Sequence, residues 1–342
     1  MKHLFTVAAI AAFLFITTTS NANIYRVGYS GPKKNNVDFT DLNDAVNACS
    51  TNPNKPDTIF LFPGTWSADY DRKIVTIGYG YYVDTATLGT GANNGLQNII
   101  GNLSVTIQLG EAVQGCVFEG VDGLKLQCYY YPTDNITIKR CKCYIDFRNT
   151  VQSNWKILQS EINLQASFGA QLDQMLISNC IITDFVTDLS TSQSATIVNN
   201  IFTGNWYDPS FVFKNNVFLL DYDGELTSTS TYEYNVFVGK IAGGINGSHN
   251  KINQNKDAIF TGYSSQKKLS NDARWQLKKP NSPAIGSGEN GIDCGIYAAG
   301  SLYPYRLSGI PAVPSFYLLE APSSTTGTGP VYQITFSVKS NN

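Results

Sequence analysis

Histidine is almost absent from this 342-residue chain, with only His3 and His249. A zinc site built from several imidazoles is therefore impossible. A Ser-His-Asp triad has only His249 to draw on, and no Gly-x-Ser-x-Gly turn supplies its nucleophile. Charge is sparse too: charged residues make up 15% and the formal net charge is −2. The chain has no basic block, which argues against nucleic acid as a partner, because phosphate binding is driven by clustered Lys and Arg. It also lacks a phosphate loop and a Gly-x-Gly-x-x-Gly turn, so nucleotide chemistry has no cradle. Beyond the N-terminal segment no stretch is apolar enough for a membrane span. What is present is 42% hydrophobic sequence with 20 Tyr, 18 Phe and 29 Gly, enough apolar surface for a large core and many turns.

The first segment reads as an address. Met1-Lys2-His3 is a short basic start, Leu4 to Ile16 an apolar run too short to cross a bilayer, and Ser20-Asn21-Ala22 places small residues at the cleavage positions. The expected arrangement is a signal peptide over 1–22 and a mature chain that is secreted, periplasmic or at the cell surface. The chain holds 7 Cys, an odd number for an exported protein. Cys116 and Cys141 are placed one above the other by the repeat described next, at a separation that suits a disulfide. Buried thiols in a stacking column need no bond, and mostly free, buried thiols are expected.

A six-residue box recurs roughly every twenty residues. It begins at Val113, Ile138, Leu158, Ile177, Ile197, Phe213 and Tyr232, and more weakly at Ile252. Its first position is apolar or aromatic, its second mostly polar (Gln114, Lys139, Gln159, Ser178, Lys214, Glu233, Asn253), and its third and fourth favour Asn or Cys. Short β-branched segments at this period, with no helical pattern between them, imply a coil of strands and turns that stacks on itself, since one coil cannot bury its own inner face. Asn suits a tight bend because it tolerates a left-handed backbone and its amide can bond the amide one coil away. Asn200, Asn216 and Asn235 are expected in one column, with Phe202, Phe218 and Phe237 in a second. A β-sandwich would explain the short strands but not the recurring box. About twelve coils between Thr58 and Gly300 would make a prism of roughly 55 to 60 Å. Before them, Leu42, Ala45, Val46 and Cys49 fall at helical spacing after Thr40, a suitable N-cap, and this helix would cover the exposed first coil.

Phe39-Thr40-Asp41-Leu42-Asn43-Asp44-Ala45-Val46 and Asp57-Thr58-Ile59-Phe60-Leu61-Phe62-Pro63-Gly64-Thr65-Trp66 resemble the opening of bacterial secreted right-handed parallel β-helix proteins of the pectate-lyase-like superfamily. Ser282 to Gly288 with Gly291-Ile292-Asp293-Cys294-Gly295 resembles the segment that closes many of them. The resemblance implies an all-β chain: a single-stranded right-handed parallel β-helix over 23–302 with an N-terminal capping helix. A short C-terminal β extension over 303–342 would pack on the helix or cap it. Phe316 to Leu319 and Val331 to Val338 read as its strands. The resemblance also implies work on extracellular polysaccharide.

Which work is left open. The Asn-Thr-Asp, Asp-Asp, Gly-His-Gly and Arg-Ile-Lys strings of polygalacturonase-type members are missing, and Tyr144-Ile145-Asp146-Phe147 departs from the Trp-Ile-Asp-His of pectate lyases. Asp184 and Asp188 are a carboxylate pair of the kind inverting hydrolysis uses, although two acids so close are ordinary loop chemistry. β-Elimination from a uronic chain asks for less: a cation to neutralise the carboxylate and a base for the adjacent proton. The densest outward charge is Lys139, Arg140, Lys142, Asp146, Arg148 and Lys156, preceded by Tyr129, Tyr130 and Tyr131. In a lyase, Lys139 and Arg140 are the catalytic candidates. Tyr129, Tyr130, Tyr131, Lys142, Asp146 and Arg148 would hold the substrate. No motif calls for a cofactor, and Ca²⁺ enters only as one means of neutralising uronate. A non-catalytic carbohydrate-binding module or an adhesive surface protein would need only the stacked coil.

Overall fold

Alternation of apolar and polar residues runs through nearly every strand, and it builds two long stacks of parallel strands closed around one core. The computed structural model describes residues 22–28, 37–81, 103–111, 113–167, 169–187, 194–206, 210–220, 230–241, 244–262, 272–307, 315–320 and 335–339. The first sheet orders ten strands, from Ile24–Val27 and Thr58–Leu61 through Thr137–Lys139 and Lys156–Leu158 to Thr231–Glu233. A second sheet stacks nine, from Gly64–Tyr70 through Leu103–Leu109, Leu124–Cys128, Lys142–Arg148, Glu161–Ser167 and Ile181–Thr187 to Val236–Phe237. A third, of three strands (Thr133–Asp134, Val151–Ser153, Gln171–Asp173), completes the wall of the middle coils. Each coil passes from the first sheet into the second and pairs in parallel with the coil before it. The chain is thus a right-handed parallel β-solenoid.

The stack is shorter than the repeat count suggested. Ten strands at roughly 4.8 Å span about 43 Å rather than 55 to 60 Å. The difference arises because the chain leaves the coil after Lys251, forms the short helix Lys256–Ile259, and returns along the outside.

The bend between the first and second sheets is where the box sits. Gly120, Arg140, Gln159, Asn179, Asn199, Asn215, Tyr234 and His249 all take a positive φ, between 53° and 67°. The next column inward holds Val121, Cys141, Ser160, Cys180, Asn200, Asn216, Asn235 and Asn250. The last four form a ladder. The Asn216 Oδ1 accepts from the Asn200 backbone N–H at 2.8 Å and from its Nδ2 at 3.0 Å, while the Asn216 Nδ2 donates to the Ile197 carbonyl at 2.8 Å. Asn235 repeats this toward Asn216, and Asn250 repeats it toward Asn235. Beside the ladder, Phe218 stacks on Phe202 at 4.5 Å and on Phe237 at 4.6 Å. Both expected columns are present.

Three boxes are out of register with this column. The true first box is centred on Gly120 and Val121 rather than Gly115 and Cys116, the third is one residue earlier than Leu158, and the last is Ser248-His249-Asn250 rather than Ile252 onward. The first is displaced because a second left-handed bend, between the third and first sheets, carries similar residues: Gly115, Asn135, Asn154 and Gln174 also take positive φ. Cys116 belongs to that bend, beside Ile136 and Trp155 in successive coils. It therefore does not lie over Cys141. All seven cysteines are free and buried.

The helix α1 (Leu42–Ala48) buries Leu42, Ala45 and Val46 against strands Gly64–Tyr70 and Ile24–Val27. Its N-cap is Asp41 rather than Thr40: the Asp41 carboxylate accepts from the N–H of Asn43 at 2.8 Å and of Asp44 at 3.2 Å. At the far end the chain runs back over the first bend. The Asn179 Nδ2 donates to the Ile296 carbonyl at 2.9 Å, the Gln159 Nε2 to the Pro304 carbonyl, and Tyr305 bonds Tyr81. Under this strap the outward row Lys142, Glu161, Ile181, Ile201, Val217, Val236 changes from charged to aliphatic, and its last four members form a second core with Ile259, Trp275, Cys294 and Ile296. Two of the polar second-position residues of the box are buried here: Ser178 and Gln159 are 3% and 4% exposed. Ser315–Glu320 and Thr335–Lys339 pair antiparallel. Residues 1–21 and 321–334, which carry most of the signal segment and part of the second tail strand, lie outside the described residues.

Two outcomes follow from the packing. Asn216→Leu removes the acceptor of Asn200 and the donor of Ile197 inside a dry bend, and should lower the unfolding free energy by about 3 kcal/mol or more, at roughly 1 to 3 per orphaned group; a denaturant titration measures it, and a neutral substitution would refute the ladder. The thiols set an alkaline limit. Burial pushes Cys116, Cys141 and Cys180 up from 9.0 to about 12. Since the folded value lies above the unfolded one, stability is whole below pH about 9 and falls as pH rises toward 12, because only the unfolded chain ionises there. A melting temperature unchanged from pH 8 to 11, or rapid thiol labelling of the native protein at pH 8, would contradict this.

Candidate functional site

The outer face of the second sheet carries a long ordered array of polar side chains. Alternation places Ser67, Thr106, Lys125, Tyr144, Asn163 and Asp184 in one row across six coils, and Asp69, Gln108, Gln127, Asp146 and Gln165 in the next. At the N-terminal end, Asn43 of α1 is stitched to this edge: its Nδ2 donates to the Ser67 carbonyl and its Oδ1 accepts from the Asp69 N–H, both at 3.4 Å. Together with Thr106, Gln108 and Gln127 these residues line an open groove of about 330 Å³.

Next to the groove stands a linked aromatic and ionic group. The Gln127 Nε2 donates to the Tyr129 hydroxyl at 2.9 Å, and that hydroxyl donates to the Asp146 Oδ2 at 2.8 Å. Arg148 holds both oxygens of Asp146, at 2.7 and 3.1 Å, and its guanidinium lies 4.3 Å over the Tyr129 ring. Asp146 is 3% exposed, so the fork of Arg148 satisfies a carboxylate that burial would otherwise penalise. Partial burial, then the hydrogen bond to Asp146, hold the Tyr129 phenol above its ordinary value. Tyr130 meets Tyr129 edge to face at 6.1 Å and is 68% exposed; Tyr131 is 37% exposed.

The other expected site residues lie elsewhere. Lys139 and Arg140 sit at the first bend, and both contact Glu119, at 3.6 and 3.7 Å. Arg140 holds φ at 54°, is 4% exposed, and donates from Nε to the Gln159 Oε1 at 3.1 Å. Burial pushes its guanidinium below the ordinary value, against the pull of Glu119. Lys142 begins the second-sheet strand and pairs with Glu161 at 3.6 Å. The strand Lys142–Arg148 rises about 3.3 Å per residue, so it separates Lys142 from Arg148 by roughly 20 Å. The structure thus brings Tyr129, Tyr130, Tyr131, Asp146 and Arg148 together and leaves Lys139 and Arg140 at the opposite edge of the sheet. Each of Lys139, Arg140, Lys142 and Arg148 faces a carboxylate of the protein itself. Lys156 projects from the first sheet. Asp184 lies in the second sheet; Asp188 lies outside the described residues.

Sequence reading missed Asn43, Ser67, Asp69, Gln108, Gln127 and Asn163. The signal was the strict alternation in Gly64–Tyr70 and Leu103–Leu109, which marks every second residue as outward. Among the described residues no group of three His, Cys, Asp or Glu side chains converges as a metal cage would. No protein-family model, curated protein or solved structure matches the chain.

Proposed function

We propose that this protein works outside the cytoplasm as a polysaccharide-binding β-solenoid, holding the chain on the outer face of its second sheet. The observation that carries the reading is the double row of hydrogen-bonding side chains at strand spacing, flanked by exposed Tyr130 and Tyr131 beside the fixed Tyr129. A sugar chain offers hydroxyls at a regular repeat and apolar ring faces. Gln, Ser, Thr and Asp side chains answer the first, and aromatic rings the second. The rows are held by the strands that present them, so little side-chain freedom is lost on binding.

Binding fits the geometry better than β-elimination. Elimination asks for a cation turned toward the substrate carboxylate and a base beside it. Here Arg148 is engaged by Asp146, while Lys139 and Arg140 lie about 20 Å from the tyrosines.

The test uses glycan arrays and then calorimetry with the mature protein. Tyr130→Ala should weaken binding about tenfold, the worth of one stacked ring, with an unchanged melting temperature because the side chain is mostly in solvent. Lys139→Ala should leave binding as it was. Full affinity in both Tyr130→Ala and Tyr131→Ala, on every glycan the wild type engages, would overturn the reading.

A further inference from the structure

Arg148 has the planar fork that recognises carboxylates, it stands beside the exposed tyrosines, and the fork is already filled. Its side chain is 42% exposed, yet its Nε and Nη2 donate to the two oxygens of Asp146, two residues earlier in the same strand, at 3.1 and 2.7 Å. Asp146 takes a third donor, the Tyr129 hydroxyl, at 2.8 Å. At 3% exposed, Asp146 itself is withdrawn from any ligand on this face. Its register partners on the two adjacent coils are Gln127 and Gln165, both neutral amides, so neither supplies a second counter-charge for Arg148.

A tethered carboxylate competes with any carboxylate in solution. Asp146 shares a strand with Arg148, so its effective concentration at the fork is high and no translational freedom is lost in filling it. An incoming uronate that took the fork would leave Asp146 buried without its cation, which is strongly unfavourable. We propose that Asp146 is a specificity-determining residue of this face: it does not meet the ligand, and it keeps the Arg148 fork closed to external carboxylates while fixing Arg148 over the Tyr129 ring. The inference rests on the carbohydrate-binding reading above and assigns selectivity at that site to a residue beneath its surface. It concerns Arg148 alone. Lys142 pairs with Glu161 at 3.6 Å, roughly 20 Å away along the strand, whereas Lys125 lies over the Tyr144 ring at 5.8 Å and forms no ion pair among the described residues, so its ammonium stays open to an anion.

The experiment titrates the protein with a galacturonate hexasaccharide, in wild type, Asp146→Ala and Asp146→Asn, and records a melting curve for each. Emptying the fork should raise galacturonate affinity about tenfold in Asp146→Ala, the worth of one charge-assisted hydrogen bond. The gain should be smaller in Asp146→Asn, whose amide oxygen still accepts from the fork or from Tyr129; this variant carries the test where Asp146→Ala does not fold. On the Asp146→Ala background, Arg148→Ala should abolish the gain and Lys125→Ala should not. The reverse result would assign the gain to Lys125 and overturn the proposal. Unchanged galacturonate affinity in the folded Asp146 variants also overturns it, and leaves the carbohydrate reading standing on the glycan array. So does a wild type whose galacturonate binding is weakened by Arg148→Ala alone, because its fork is already open. A gain in the variants, with no glycan on the array bound by the wild type, keeps the closed fork and overturns the carbohydrate reading.

Discussion

A coil can turn from one sheet into the next only if a residue takes a left-handed backbone and the amides exposed by the turn find partners inside a dry corner. The rest of this molecule depends on how that is solved. In the later coils Asn200, Asn216, Asn235 and Asn250 supply the ladder, and the left-handed position before them is taken by Asn199 and Asn215 and then by Tyr234 and His249. Each ladder amide binds the coil below it, so the corner of one coil is completed only by the next. That makes stacking compulsory and fixes register at every step. In the earlier coils Cys141, Ser160 and Cys180 stand at the same point, and weaker thiol contacts such as Val121 N–H to the Cys141 Sγ at 3.4 Å replace the amides. Those coils rely more on their long second-sheet strands, seven residues each in Lys142–Arg148 and Glu161–Ser167, against two in Val217–Phe218 and Val236–Phe237.

The same trade explains the strap. The two-residue second-sheet strands cover little area, and together with the start of Ile181–Thr187 they carry an outward aliphatic row, Ile181, Ile201, Val217 and Val236. Left in water, that row would be an apolar stripe along the stack. The returning chain buries it, bringing Ala284, Cys294 and Ile296 onto it and bonding Asn179 and Asn215 on the way. The strap therefore clamps the solenoid along this row, beside the first bend, and leaves the outer face of the longer second-sheet strands open. The open part is the face that carries the polar rows.

Much of the fold was legible because the corner chemistry is local. A six-residue window with an apolar first residue and Asn or Cys at the fourth contains one strand end, one bend and one strand start, and no distant partner is needed to recognise it. Misregistration came from the same source, since Gly115, Asn135 and Asn154 make a second left-handed corner with similar residues, and a window centred on Cys116 matches either. The helix was legible from Leu42, Ala45 and Val46, while its cap was misjudged by one residue, because Thr40 and Asp41 both qualify by type and only the turn geometry separates them. The site was far less legible. Lys139 to Arg148 look like one cluster in sequence, yet an extended strand carries its two ends to opposite edges of a sheet. Tyr129, Gln127 and Asp146 come together from neighbouring coils, and nothing local announces that.

Rigidity links the two halves of this picture. A binding surface made from loops must order itself around a ligand, whereas rows built on stacked strands are ordered by the same hydrogen bonds that hold the core. Asp146 shows the coupling in one residue: it is nearly buried, it fixes Tyr129 through the hydroxyl and Arg148 through both oxygens, and Arg148 in turn covers the Tyr129 ring. Neutralising that carboxylate would free the arginine and the tyrosine together. The surface would keep its residues and lose their arrangement. On a face whose proposed ligand repeats along the stack, arrangement is what the solenoid contributes, and it follows from the constraint that closes each corner.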